Sequence, residues 1–286
     1  MLINMNIKNL FNFIFFSSIL ILGVLVLKKY LTNAPKNLPF LSDEIEEKDS
    51  DEGIGSITAG SAFELKGNIY VLTVFISEGK WSYKNQLSQY DKIFEAQNWL
   101  RQEAKRYNTD IHFINGQFGL EKPIFFQNIE IGSGPGNKNP KIVIETLKKV
   151  GYNNPKLFTN WVKNNTNCTN SLVLILANES GRGYAVPYMK GLGNEYFAEG
   201  CILSTKPLMS SEVAHEFLHL FGAWDLYETL DQTKEKEIAA KRIYPDDIML
   251  RTAENINELK IDKLTAWLIG INPYKEEHFD WFCPYH

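Results

Sequence analysis

The segment HEFLHLFGAWD, at residues 215–225, restricts the possible folds of this 286-residue chain more than any other segment. His215 and His219 are four residues apart, and on an α-helix this spacing places both imidazoles on one face, where they can bind one metal ion. Glu216 lies beside that face, so its carboxylate can hold a metal-bound water and accept its proton. The segment therefore predicts a helix that carries a metal site.

The residues around and after the two histidines extend this pattern. Large apolar side chains predict that the helix belongs to the core: Phe217, Leu218, Leu220 and Phe221. Ser210 or Ser211 can cap the start of the helix, and Gly222 can take a positive φ that ends it and turns the chain back. Asp225 follows on the returning segment, and a carboxylate oxygen is a good zinc ligand. Two histidines and one aspartate leave a fourth position open for water, which is typical of catalytic zinc sites.

This segment resembles the extended metzincin signature, His-Glu-x-x-His-x-x-Gly-x-x-His/Asp. Metzincins are zinc endopeptidases, and some members have aspartate as the third ligand. The resemblance implies that His215, His219 and Asp225 bind Zn²⁺, that Glu216 is the general base and that Gly222 forms the turn.

A second part of the resemblance lies downstream. Metzincins have a methionine turn beneath the metal, and the segment YPDDIMLRTAEN supplies Met249. The following segment, INELKIDKLTAWLIGI, is helix-like, as the C-terminal helix of the family would be. Some metzincins have a tyrosine two residues after the methionine, but here that position is Arg251. The resemblance therefore supports no role for such a tyrosine in the transition state.

The order of the predicted elements indicates an α/β (α+β) domain with a mixed, twisted sheet. Strands are predicted at 69–77, 110–116, 123–132, 171–178, 183–188 and 195–203, and helices at 87–107, 141–152 and 155–165, before the motif helix. Pro187 lacks a backbone N–H, which suits only an edge strand. By the resemblance, this is a zincin domain whose edge strand holds the substrate extended. Over residues 60–210 only the order of the elements resembles the family.

The N-terminus predicts a membrane anchor. Residues 9–27 carry no charge and approach the roughly 20 residues that a membrane-spanning helix needs. The segment is longer than the apolar region of a signal peptide and has no small-residue cleavage site after it. We therefore predict an uncleaved transmembrane helix in residues 1–29, an acidic linker at 30–55 and a metalloprotease domain at 56–286.

The sequence gives less direct evidence for the side of the membrane on which the catalytic domain lies. Lys28, Lys29 and Lys36 follow the apolar segment, and the positive-inside rule would place the domain in the cytoplasm. A protease facing the cytoplasm would need restraint, so we expect an extracytoplasmic domain on a single-pass membrane protein. The net charge of −4 gives no reason to expect nucleic acid as a partner. The expected partners are a protein or peptide substrate and the membrane.

Three alternatives remain open. The sequence Glu-Gly-Cys before the two histidines resembles peptide deformylase, in which Cys201 would be the third ligand, although Cys201 also suits a core position or a disulfide with Cys168. A thermolysin-like site would use a distant glutamate, such as Glu254 or Glu258. A membrane-tethered, non-catalytic binding domain would keep the ligands but would not need Glu216.

The sequence thus favours a membrane-anchored, zinc-dependent metalloendopeptidase. In this hypothesis Zn²⁺ is the cofactor and Glu216 activates a zinc-bound water that hydrolyses the peptide bond.

Overall fold

Two strands rich in β-branched and aliphatic residues form the centre of a mixed sheet. The computed structural model describes residues 60–132, 138–187, 199–230 and 232–283, all within one compact unit, Lys48–His286. Its strands are β1 (Gly67–Ser77), β2 (Ile111–Phe118), β3 (Ile124–Phe125), β4 (Asn170–Ala177), β5 (Tyr184–Val186) and β6 (Gly200–Ser204). Every residue of β4 is buried, as expected for a parallel strand covered on both faces.

The sheet order is β2-β1-β4-β6-β5. The short β3 pairs with the end of β1, after the stretch of β1 that pairs with β2. β1 pairs in parallel with β2, β3 and β4, and β4 pairs in parallel with β6. β5 alone runs antiparallel, with Ala185 opposite Cys201. The predicted mixed sheet is confirmed, and the predicted edge strand is found at the end of the sheet order.

Helices cover both faces of the sheet. In chain order they are α1 (Tyr83–Arg106), α2 (Asn139–Lys149), α3 (Pro155–Asn165), α4 (Ser210–Leu220), α5 (Lys234–Ile243), α6 (Lys263–Leu268) and α7 (Phe279–Phe282), with a 3₁₀ turn at Ile256–Glu258. Side chains alternate between the faces of a strand, so Phe75 of β1 packs against Trp81 and Tyr90 near α1, whereas Tyr70 contacts Phe158 of α3. α4 packs against α1 and lies beside β5 and β6.

Two predicted elements are shorter than their sequence patterns indicated. In residues 123–132 only Ile124 and Phe125 pair as a strand, along the end of β1. The predicted C-terminal helix is divided into the 3₁₀ turn and α6. Between them, Ile261 N donates to Glu103 and Asp262 N to Asp247, so tertiary acceptors replace the helical ones.

The start of α4 also differs from the prediction. Met209 is the N-cap, and its backbone N–H donates to the Glu212 carboxylate at 3.4 Å. Ser210 and Ser211 lie inside the helix, where Ser211 Oγ exchanges hydrogen bonds with the backbone of Ala253 and Ser210 bonds to Glu95. The serines are therefore used for tertiary contacts and not as caps.

The cysteines form no disulfide. Cys168, Cys201 and Cys283 are all free and buried. Cys201 is fully buried, so its interpretation as a core residue is confirmed, and the disulfide with Cys168 is not formed.

The predicted transmembrane helix in residues 1–29 and the linker at 30–55 lie outside the described residues. Within the described part of the chain, no helix has the length and apolar character needed to cross a membrane.

Candidate metal centre

Helix α4 holds the two histidines rigidly because the rest of its surface is packed. Its apolar side chains are fully buried in the core: Val213, Ala214, Phe217, Leu218 and Leu220. The His215 and His219 side chains remain only 5% and 15% exposed. The predicted motif helix is thus confirmed as a core element, and its packing restricts the positions of both imidazoles.

The turn after α4 brings Asp225 to the same place. Gly222 has a φ of +96°, a conformation that glycine adopts readily and other residues rarely do. Around it, Gly222 N donates to His219 O and Ala223 N donates to Leu218 O, both at 3.0 Å. These bonds close the end of the helix and reverse the chain, as the sequence predicted. Asp225 then reaches the histidines.

Three atoms converge at this point. His215 Nε2 and His219 Nε2 are 3.2 Å apart, and Asp225 Oδ1 lies 3.2 Å from the first and 3.3 Å from the second. Within the described part of the chain, this is the group of histidine, cysteine and acidic side chains whose ligand atoms could hold a metal ion.

The orientation of both rings leaves these nitrogens free to bind an ion. His215 Nδ1 lies 2.9 Å from Ile248 O, and His219 Nδ1 lies 2.8 Å from Ala223 O. A backbone carbonyl only accepts hydrogen bonds, so each Nδ1 carries a proton and donates it. The Nε2 atom of each neutral ring therefore presents a lone pair, which is the form that binds a metal.

The site stabilises positive charge. Burial lowers the pKa of His219, but the Asp225 carboxylate has the greater combined effect, and the net result raises this pKa to about 9. Burial acts to raise the pKa of Asp225, but the two imidazoles lower it well below its usual range. Asp225 Oδ1 is buried and accepts no well-aligned hydrogen bond. When both imidazoles are neutral, two lone pairs and one ionised oxygen at this separation repel one another unless a cation, either a proton or a metal ion, lies among them.

Glu216 lies next to this group and beside the edge strand. Its side chain is largely buried, and a methyl group added to Gly183 would lie 3.3 Å from Glu216 Cγ and 3.4 Å from Oε1. A hydrogen bond attaches the backbone of Glu216 to the sheet, because Cys201 Sγ of β6 donates to Glu216 O at 3.1 Å. The candidate general base therefore stands between the metal group and the start of β5.

Met249 belongs to a turn whose backbone carbonyls accept hydrogen bonds from the site and from the segment next to Asp225. Ile248 O accepts the hydrogen bond from His215 Nδ1, and Met249 O accepts one from Leu226 N at 2.9 Å. Met249 itself is fully buried. Arg251, at the position where some metzincins have tyrosine, has a side chain that is 40% exposed and lies 3.5 Å from the Asp246 carboxylate.

Sequence reasoning missed one side chain at the site. The ring of Tyr227 stacks on His215, with centroids 6.3 Å apart and planes inclined by 19°. Burial, reinforced by the neighbouring Asp225 carboxylate, raises the pKa of Tyr227 above its usual value, so its hydroxyl stays protonated. Its position two residues after Asp225 was the available signal, since a residue so close in sequence to a candidate ligand lies near the candidate site.

The ligands of the alternative hypotheses lie elsewhere. Cys201 is buried in β6 and is not part of the convergent group, and Glu254 and Glu258 are exposed. Asp225 is the residue that joins the histidines.

The sequence matches no protein-family model, and no curated protein is significantly similar to it. Interpretation of the site therefore depends on its own geometry and chemistry.

Proposed function

We propose that this protein is a zinc-dependent metalloendopeptidase of the metzincin type. The observation that carries the proposal is the convergence of His215 Nε2, His219 Nε2 and Asp225 Oδ1 next to Glu216. A binding domain without catalysis would need the three ligands but not a carboxylate beside them. The largely buried Glu216 carboxylate, which is close enough to act on the pKa of His219, favours an enzyme.

The donor set and its dimensions suit zinc. Imidazole nitrogen and carboxylate oxygen are common zinc ligands, with bond lengths of about 2.0–2.2 Å. Two ligands of a tetrahedral ion at about 2.0–2.1 Å are separated by roughly 3.3–3.4 Å. The separations of 3.2, 3.2 and 3.3 Å in the protein agree with this value. Three protein ligands leave the fourth position for water, which suits a catalytic site.

Different residues of the chain would have different roles in hydrolysis. Bound zinc would supply Lewis acidity, which polarises the scissile carbonyl and makes water a stronger acid. Glu216 would accept the proton of that water and deliver it to the departing amine. Ile248 O and Ala223 O hold the proton on each Nδ1, and so keep the two imidazoles in the ligating tautomer.

The edge strand is the proposed substrate site. β5 uses one of its sides to pair with β6 and is the last strand of the described sheet. Its other side can pair with the backbone of an extended peptide, which would then pass Glu216. Main-chain pairing of this kind fits a protein or peptide substrate and leaves side-chain preference to neighbouring pockets.

We also propose that residues 1–29 anchor the protein in a membrane and that the catalytic domain is extracytoplasmic. The uncharged run at residues 9–27 supports the anchor. The proposed proteolytic activity supports the outer location, because the cell interior would otherwise be exposed to it.

Glu216→Gln tests the proposed function. The variant should bind zinc as the wild type does but hydrolyse peptides about 10²- to 10⁴-fold more slowly, because the change removes only the proton acceptor. The measurements are peptide-library cleavage, its inhibition by a chelator, and zinc per chain on the same sample. Glu212→Gln, one helical turn earlier, is the matched control and should keep most activity. Equal turnover by wild type and Glu216→Gln would refute the role of Glu216.

A further inference from the structure

Asp247 is a buried acid in the same turn as Met249. It is fully buried, with no lysine or arginine among its hydrogen-bond donors. Its carboxylate accepts from Met249 N at 2.7 Å, from Asp262 N at 2.8 Å and from Thr265 Oγ1 at 3.0 Å. A carboxylate is costly to bury, so its retention here requires these bonds.

The same turn supports two of the three candidate metal ligands. Ile248 O, next to Asp247, accepts from His215 Nδ1 at 2.9 Å. Met249 O accepts from Leu226 N, the residue after Asp225, at 2.9 Å. Asp247 Oδ1 binds Met249 N directly and therefore determines where both carbonyls point. The second carboxylate oxygen attaches the turn to the segment that precedes α6.

We propose that Asp247 is the positioning residue of the metal centre: its carboxylate fixes the turn whose carbonyls orient His215 and the Asp225 loop. This inference rests on metal binding by the proposed site and not on peptide hydrolysis. Asp247 does not contact the metal group. It acts through Ile248 and Met249, so its removal weakens metal binding without deleting a ligand.

An ionised aspartate suits this position because it only accepts hydrogen bonds. Its oxygens face two backbone N–H groups and one hydroxyl that all donate. In an asparagine one oxygen is replaced by an amide that donates, so the amide faces either Met249 N or Asp262 N, and that N–H loses its acceptor. Asp247→Asn therefore changes hydrogen bonding with almost no change in volume.

The experiment measures metal binding by the full-length protein in detergent. Zn²⁺ affinity is obtained by competition with a chelating indicator, and the visible spectrum of the Co²⁺ form reports ligand geometry. Asp247→Asn should weaken Zn²⁺ binding about 10- to 100-fold, the usual effect of losing an outer hydrogen-bond partner, and alter the Co²⁺ spectrum.

Glu103→Gln is the matched control. Glu103 is also a buried carboxylate, and it accepts from Ile261 N at 2.7 Å, one residue before the Asp262 N–H that Asp247 binds. It accepts no hydrogen bond from the turn at residues 247–249. Glu103 also pairs with Arg106, so Glu103→Gln should lose stability, but it should keep the wild-type Zn²⁺ affinity and Co²⁺ spectrum.

The possible results test the positioning role of Asp247 and the existence of the metal centre separately. Equal metal affinity and spectra in Asp247→Asn and wild type, or equal losses in Asp247→Asn and Glu103→Gln, would overturn the positioning role. No metal binding by the wild type would overturn the metal centre itself and this inference with it. If Asp247→Asn does not fold, Thr265→Val removes only the 3.0 Å bond to Asp247. A folded Thr265→Val with a several-fold weaker affinity supports the inference, and wild-type binding by it overturns the inference.

Discussion

At the scale of single residues, the proposed zinc site depends on Asp225 because two imidazoles on one helix cannot complete such a site. Its carboxylate contributes a negative charge that a third histidine would not bring. A zinc ion held by this set would be less positive than in a three-histidine site, and its bound water a somewhat weaker acid. The short distances from Asp225 Oδ1 to both Nε2 atoms place this charge directly on the metal position.

Asp225→Ala should abolish most zinc binding, because the ligand oxygen is removed while the histidines stay on α4. The measurement is zinc per chain after dialysis against a weak chelator. Glu254→Ala and Glu258→Ala are controls at exposed acids, and both should keep full zinc. Full zinc in Asp225→Ala, with loss in either glutamate variant, would instead support a thermolysin-like site.

At the scale of elements, the relation between α4 and β5 determines how Glu216, the proposed general base, would approach a substrate. Gly183 stands at the start of β5, against Glu216 on one side and Leu203 of β6 on the other. A methyl group there would lie only 2.4 Å from Leu203 Cδ2, and Leu203 is fully buried. The lack of a side chain at residue 183 allows the edge strand to approach the base.

Gly183→Ala should lower kcat/KM by about 10²-fold, because a displacement of the edge strand by about 1 Å misplaces the substrate against Glu216. Zinc content should stay at the wild-type level, since no ligand or ligand partner is changed. Gly79→Ala is the control, as a methyl group at Gly79 meets nothing within 4 Å. Equal kcat/KM values for the two variants would show that the close approach is not needed for catalysis.

At the scale of the whole molecule, buried carboxylates attach distant parts of the chain to the sheet. Glu199, just before β6, accepts from Ser61 N through both oxygens at 2.9 and 3.0 Å. Nearby, Phe63 N donates to Asn170 Oδ1 and Leu65 N donates to Ile269 O. The first described residues are thus held to β4 and to the C-terminal region by long-range bonds.

These acids predict how stability depends on pH. Burial raises the pKa of Glu199 and of Asp247 to about 7 each. The folded protein therefore binds more protons than the unfolded chain between about pH 4.5 and pH 7. The free energy of unfolding should fall as pH rises through this window. Urea unfolding of Glu199→Gln should show a fall between pH 5 and pH 8 that is smaller than the wild-type fall by roughly 1–3 kcal/mol. An unchanged slope would contradict the raised pKa of Glu199.

The membrane anchor is a separate prediction at this scale. The full-length protein should stay in the membrane fraction after extraction with alkaline carbonate, and deletion of residues 1–55 should release a soluble, active domain. Full-length protein with an intact N-terminus in the soluble fraction would refute the anchor. Digestion by an added protease in sealed cells would show on which side of the membrane the domain lies.

The sequence by itself determined the elements and the candidate ligands that local spacing encodes. A four-residue spacing defines one helix face, a long β-branched run defines a buried strand, and Gly222 allows a turn, because each depends on neighbouring residues only. For this reason the motif helix, the central strands and the edge strand were predicted closely. Pro187 alone was enough to indicate an edge, since it cannot donate to a sheet.

Only the tertiary structure decided which distant groups complete the site. Asp246 and Asp247 are adjacent in sequence, yet Asp246 pairs with Lys260 at the surface while Asp247 is buried in the turn below His215. The serines in the first turn of α4 bind Ala253 and Glu95 instead of capping the helix, and the helix predicted at 256–271 is interrupted where its N–H groups donate to Glu103 and Asp247. In each case the partner lies at least 14 residues away in sequence, and only the folded chain brings it within hydrogen-bonding distance.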